Sequence, residues 1–578
     1  MTLDLKLTGG TVVDGTRAPA RRGDVGIRDG RVVAIGDVSE GATRTIDATD
    51  LVVAPGFVDL HTHYDAQLLW DATASPSPMH GVTTVFGGNC GFTLAPASDE
   101  HVDYLARLMA RVEGIPLPAL QQGLPWDWKS FGDYLQRVET SGTAVNAGFL
   151  TGHSALRRVV MGDDAVGEPA TDDQIAQMER LLHDALDAGA MGFSTSQAPT
   201  HNDGDGNPVP SRAATREELV RLAGALHSHP GTQLELIIAG CLNGFSDDEV
   251  DLMTSMSLAA DRPVNWNVLG VTKGGMHEKQ LDAGTRAAAR GARVVALTLP
   301  QGIRIRLSFL TGFVFDGMPG WRETIGLPVP ERIRALSDPE VRARLDKLAH
   351  SPEAGVLANL ARWERLEIIE TFTPQTKAFE GRHVGDIAKE QGKAPFDALL
   401  DIVVADELRT GLRPDFGGPE PAETWQMRAD VWRDPRAMIG GSDSGAHLDM
   451  MCGASYSTFV VGDAVRNGYV TMEEAVYQLT NKPARLYGVR DRGRIALGGY
   501  ADIVCFDPAT VGPAGERTQQ DLPGGASRIV AQSQGVEHVL VNGTEIVRDG
   551  AYTGATPGTL LRAGRDTETV HAASTEAQ

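Results

Sequence analysis

Apolar and polar residues alternate in short runs at both ends of the chain and follow a longer rhythm between them. Near the N-terminus, Leu3–Leu7, Thr11–Val13, Val25–Arg28 and Arg31–Ile35 read as strands. They are separated by glycine turns, and Asp29-Gly30 between two such runs predicts a hairpin. The pattern returns at the far end in Ile503–Phe506, His538–Val541 and Thr544–Val547, with Asn542-Gly543 as a second hairpin turn. Neither end is large enough to bury a good core alone. They are expected to pack together as one small, discontinuous β-sandwich, residues 1–54 with 490–564.

The middle changes period. Thr171 and Gln174 form a capping box ahead of an apolar stripe at Ile175, Met178, Leu182 and Ala185, so a helix runs from Thr171 to Gly189. Thr215 with Glu218 opens a second helix and Lys279–Arg290 reads as a third. Short apolar strands, Leu234–Ile238 and Val294–Leu299, follow the second and third. Such alternation predicts βαβ units around a parallel sheet. About 430 residues of it fit an α/β fold, a (β/α)₈ TIM-type barrel over 55–489 with an arginine-rich insertion at about 302–365. A doubly wound sheet is the alternative, but no G-x-G-x-x-G follows a strand, so its nucleotide-binding form has no support. Residues 565–578 are polar and are expected to form a flexible tail.

The chain has 578 residues, 42% of them hydrophobic, and a formal net charge of −23. That balance argues against nucleic acid or an anionic membrane as partner, since both require a basic face. Four widely spaced cysteines give no disulfide framework. With no signal-like or membrane-length apolar run, the expected location is the cytoplasm, and a homo-oligomeric state stays open.

Three strand ends carry candidate chemistry. In Pro55-Gly56-Phe57-Val58-Asp59-Leu60-His61-Thr62-His63 the two histidines are two apart on an extended segment, so they point the same way and can reach one ion. His227 and His229 have the same spacing but end a helix, where a cationic turn facing the dipole explains them. Val82–Phe86 is a β-branched strand that ends at Asn89-Cys90 among glycines. A thiolate there is a soft zinc ligand or else a small buried thiol. Ala437–Ile439 ends in Gly440-Gly441-Ser442-Asp443, where Asp443 is a ligand, a general base or a turn aspartate.

HTHYDAQ at 61–67, GGNCGFTLAP at 87–96, EGIPLPAL at 113–120, WDWKSFGDYL at 126–135, GHSALRRVVMG at 152–162, GGSDSGAH at 440–447 and RGRIALGGYADIVCFDP at 492–508 together resemble the N-acyl-D-amino-acid deacylases (D-aminoacylases) of the amidohydrolase superfamily. The resemblance implies zinc-dependent hydrolysis of the amide bond of a small acylated amino acid. It makes His61 and His63 the strand-one ligands and Cys90 the cysteine that stands in for a carbamylated lysine. Asp443 becomes the aspartate that takes a proton from the attacking water and returns it to the leaving nitrogen. The family's histidines after strands five and six are missing from Gln233–Ile238 and Pro263–Val268, so one zinc ion is expected rather than two. Glu235 is a further candidate ligand. Arg157 and Arg212 are the first choices to hold a substrate carboxylate, ahead of Arg304 and Arg306. His153 and His447 are expected near the site, while His201 opens a loop as a turn residue. Hydrolysis of another amide or cyclic amide, metal-dependent decarboxylation, and ion binding without turnover remain alternatives.

Overall fold

The structure is a computed structural model that describes residues 2–573 apart from 303, 313 and 416–419. Eight parallel strands follow one another through the middle of the chain: β1 (Phe57–Asp59), β2 (Val82–Gly87), β3 (Asn146–Phe149), β4 (Gly192–Ser196), β5 (Gln233–Ile237), β6 (Val264–Leu269), β7 (Val294–Thr298) and β8 (Ala437–Ile439). They pair as β1-β2-β3 and, through Thr151–Gly152 just beyond β3, as β4-β5-β6-β7-β8. Past the ends of β8 and β1, Ser444 and Thr62 form a parallel bridge, and the Asp443 amide donates to His61 O at 3.1 Å. Strands β2, β4, β5 and β7 are buried at every position. This is what parallel strands covered on both faces require.

Helices cover the outer faces. Asp172–Asp187 starts at the expected capping box of Thr171 and Gln174 and buries Ile175, Met178, Leu182, Ala185 and Leu186. Arg216–Ala225 is capped by Thr215, but Glu218 departs from the box pattern. Its carboxylate turns inward to Arg157 and His153.

Strands from the two chain ends share one sheet. Val52–Pro55 lies between Leu3–Val12 and Ile503–Phe506, the latter antiparallel to it with Val53 opposite Cys505. Two expectations need correction. The insertion between β7 and β8 is longer than 302–365, because Leu366–Glu370 pairs with Gly411–Pro414 and both edges close one core. That core stacks Phe315 on Trp321, Trp321 on Trp363 and Trp363 on Phe396, with centroids 5.6, 5.8 and 4.7 Å apart. The tail is docked as far as it is described. Thr567 is buried and its hydroxyl donates to Gly231 O at 2.7 Å, Thr569 Oγ1 accepts from Gly231 N at 3.0 Å, and His571 contacts Asp261 at 2.6 Å. Residues 574–578 lie outside the described residues.

Candidate metal centre

Glycine geometry brings the donors together. Gly88 has φ +74°, and a Cβ there would sit 2.1 Å from Leu150 O. The chain after β2 therefore turns sharply into Cys90, itself left-handed at φ 55°. At Gly445 (φ +93°) a Cβ would strike His63 C at 2.6 Å, and Asp443 is held at φ 58°. Left-handed non-glycine residues cost free energy and persist where surrounding structure holds them, often at functional sites.

His61, His63 and Cys90 present one nitrogen each and a sulfur, all within 4.8 Å of one another and all buried. Cys90 Sγ is 3.5 Å from His61 Nε2. Asp443 Oδ1 lies 3.0 Å from His63 Nε2 and 3.7 Å from His61 Nε2. Separations of this size suit ligands around one ion held at about 2.0–2.3 Å. The buried Nδ1 atoms of both histidines lack hydrogen-bond partners among the described residues. The soft, borderline and hard donors fit zinc.

Glu235 faces inward from β5, and its Oε2 accepts from Cys90 N at 2.8 Å. Its Oε1 is 4.0 Å from His61 Nδ1. Burial raises its carboxyl to about 8. Asn267, on β6, places Nδ2 3.4 Å from His61 Nε2 and 3.8 Å from Cys90 Sγ. Glu235 and Asn267 thus stand beside the donors on the two strands that lack the expected histidines.

Sequence reading missed Glu113. This residue follows the helix Val102–Val112, is buried, and sets Oε2 3.4 Å from His63 Nε2. Burial raises its carboxyl to about 8, with His63 opposing. Burial opposes a charge on His63, but Glu113 and Asp443 outweigh it and raise the imidazole to about 10. For Asp443, burial is outweighed by His63 and His447, which hold it below the usual carboxylate range. The negative potential that favours a cationic His63 also attracts a divalent cation.

The remaining expectations divide. His447 sits beside the centre, Nε2 to Asp443 Oδ2 3.6 Å. His201 is half-buried in its loop and feels the charges of the centre. Burial, His447, Asp443 and His63 all act on its imidazole, which bonds Ser196 Oγ at 2.8 Å. Arg212 donates to His201 O and Asn202 Oδ1 at 3.2 and 3.1 Å. Among the described residues no carboxylate lies in ion-pair reach of Arg212. Arg157 and His153 join a closed buried network. Arg157 Nη1 donates to both oxygens of Glu218 at 2.6 Å, and His153 bonds Glu218 and Thr195 at 2.9 Å each. A fully buried guanidinium needs such a partner, and Glu218 supplies it. Arg306 donates to Thr518 at 2.6 Å and is 3.2 Å from Glu370, so it ties the insertion to the C-terminal strands. His227 and His229 stay at a helix end, His229 bonding His183 at 2.8 Å.

A cavity of about 870 Å³ opens past the end of β6. Val268, Leu269, Leu299, Trp425 and Phe459 line it, with Arg304 on its wall. Among the described residues no helix is long and apolar enough to cross a membrane.

Comparison with known proteins places these features in context. The profile of the Amidohydrolase family matches residues 44–547. The chain is 31% identical to a D-aminoacylase of Alcaligenes xylosoxydans xylosoxydans, over 96% of this chain and 97% of the relative. It is 30% identical to an N-acyl-D-glutamate deacylase of the same organism, over 97% and 96%. Among solved structures, a D-aminoacylase studied for its binuclear metal centre superposes with a TM-score of 0.64 at 28% identity, covering 97% of this chain and all of the other. An N-acyl-D-glutamate deacylase from Bordetella bronchiseptica, complexed with zinc and a phosphonate mimic of the tetrahedral intermediate, gives 0.64 at 25%, with the same coverage.

Proposed function

The chain belongs to the amidohydrolase family, in the branch of the N-acyl-D-amino-acid deacylases, and on that premise we propose that it hydrolyses the amide bond of N-acyl-D-amino acids with one zinc ion. The observation that carries the reading is the approach of His61, His63, Cys90 and Asp443 from three distant strand ends. These four residues are the proposed ligands. Glu235 and Asn267 at the β5 and β6 positions support one ion, because Glu235 Oε2 is engaged by the Cys90 amide and a neutral amide is a weak donor. The eight strands are read as one closed (β/α)₈ barrel over 55–489, with the shared terminal sheet of 1–54 and 490–564 as the small β domain beside it.

Bound zinc supplies polarisation of the scissile carbonyl and acidification of a coordinated water. Asp443, which approaches His63 Nε2 at 3.0 Å and would be kept ionised by the ion beside it, takes the proton of the attacking water and returns it to the leaving nitrogen. His447, 3.6 Å from Asp443, orients it. Arg212 holds the substrate carboxylate. The cavity past β6 accepts the apolar part of the substrate.

The test is amine release from a panel of N-acyl-D- and N-acyl-L-amino acids by zinc-loaded protein. Turnover of D-substrates ahead of their L-isomers is expected. Turnover of none of them, with a ring-opened acid or CO₂ formed from other substrates, would sink the deacylase reading.

A further inference from the structure

We infer that Glu113 is a further ligand of the ion, joining His61, His63, Cys90 and Asp443 through the nitrogen of His63 that it shares with Asp443. The inference rests on the metal reading above and extends it to a residue the sequence did not single out.

The argument turns on which nitrogen each carboxylate faces. A carboxylate that merely orients a ligating histidine takes the N–H on the far side of the ring from the ion. Glu235 lies on that side of His61 without bonding it: its Oε1 is 4.0 Å from Nδ1, while His61 Nε2 faces Cys90 and Asp443. Glu113 is placed the other way. Its Oε2 lies 3.4 Å from His63 Nε2, the same nitrogen that Asp443 Oδ1 approaches at 3.0 Å. His63 Nδ1, where an orienting acceptor belongs, has no partner among the described residues. Two carboxylates directed at one imidazole nitrogen cannot both receive its single proton. A cation between them satisfies both.

Glu113 is also held in register with the centre. Its carbonyl accepts a hydrogen bond from the His447 amide. Gly114, at φ +60°, lies so close to this turn that a Cβ would be 3.0 Å from His447 Cα. The Asp443–His447 turn and Glu113 are therefore held against each other. With Glu113 as a second carboxylate at the centre, Asp443 is the freer of the two to carry the proton.

The assignment is tested on the full-length protein in the parent, Glu113→Gln and Glu113→Asp forms. Zinc affinity is measured by chelator competition at one pH, and the visible spectrum of the cobalt(II)-substituted protein reports coordination. Loss of an orienting residue lowers metal affinity by about 10–100-fold. Glu113→Gln is expected to exceed that and to shift the cobalt bands, with Glu113→Asp between it and the parent. Thermal unfolding of the metal-free forms checks folding, and Glu113→Asp keeps the test open if Glu113→Gln fails to fold. Parent-like zinc affinity and an unchanged cobalt spectrum in the variants overturn the assignment, even where turnover falls. A parent that binds no zinc overturns the metal reading itself and this ligand with it.

Discussion

Substitution of Glu218 by glutamine separates a structural arginine from a substrate-binding one. Arg157 and Glu218 are both fully buried, with Arg157 Nη1 2.6 Å from each carboxylate oxygen and Nη2 donating to Glu168 O at 2.6 Å. Glutamine keeps the size of the side chain and one acceptor oxygen but removes the charge, and so strands a buried guanidinium. Breaking one side of such a pair costs about 3–5 kcal/mol. Unfolding entropy grows with chain length, so for a fold this large each kcal/mol lowers Tm by only about 1 °C and a drop of about 3–5 °C is expected by calorimetry. Combining Arg157→Leu with Glu218→Gln removes both charges. The double variant should be less destabilised than the sum of the singles, with a coupling of about 1–3 kcal/mol. At 25 °C, folded Glu218→Gln should keep a parent-like KM. If Tm stays within about 1 °C of the parent while KM rises many-fold, the network is not structural and Arg157 belongs to the substrate site.

Asp443→Asn should fold like the parent and lose about 10²–10⁴-fold in kcat, since general acid–base transfer contributes that much. Steady-state kinetics giving a near-parent kcat would remove Asp443 from proton transfer. His80 gives a pH dependence away from the centre: its ring is buried between Thr458 Oγ1 at 2.8 Å and Ala531 O at 3.2 Å, and burial pulls its pKa down to about 4. Because the folded value lies below the unfolded one of about 6.5, its contribution is complete above 6.5 and is lost as pH falls toward 4, up to about 3 kcal/mol. The Tm advantage of the parent over His80→Gln should shrink across that window; parallel curves of Tm against pH would show that His80 does not titrate there.

Much of the fold was legible because its signals are local. The capping residues Thr171 and Thr215 mark two helix starts whatever packs around them. The glycine turns of the chain ends mark the short strands, and the repeating β-α rhythm marks the parallel sheets. What was not legible depends on distance in sequence. The insertion's second edge, Gly411–Pro414, pairs with Leu366–Glu370 only in three dimensions. The tail docks through hydroxyl and main-chain hydrogen bonds around Gly231, and polar residues that bind in this way look like any loose terminus in an apolar-pattern reading.

The centre was legible where spacing alone fixes direction, as for His61 and His63 on one extended segment. Arginine identity gives no such direction, which is why Arg157 could be placed in the substrate site although its guanidinium faces Glu218. Glu113 carries one local signal of another kind. A carboxylate just past the last turn of a helix opposes the negative end of the dipole. Here it is also buried, and burial of a second carboxylate, Glu235, on a strand that lacks the expected histidine repeats the violation. A fold that breaks a local rule twice around one point needs a compensating charge at that point. His63 can supply one proton's worth, but Asp443 draws on the same nitrogen. A divalent cation answers Glu113 and Asp443 at once, and this is why the absence of the two histidines argues for a rebuilt metal centre rather than an abandoned one.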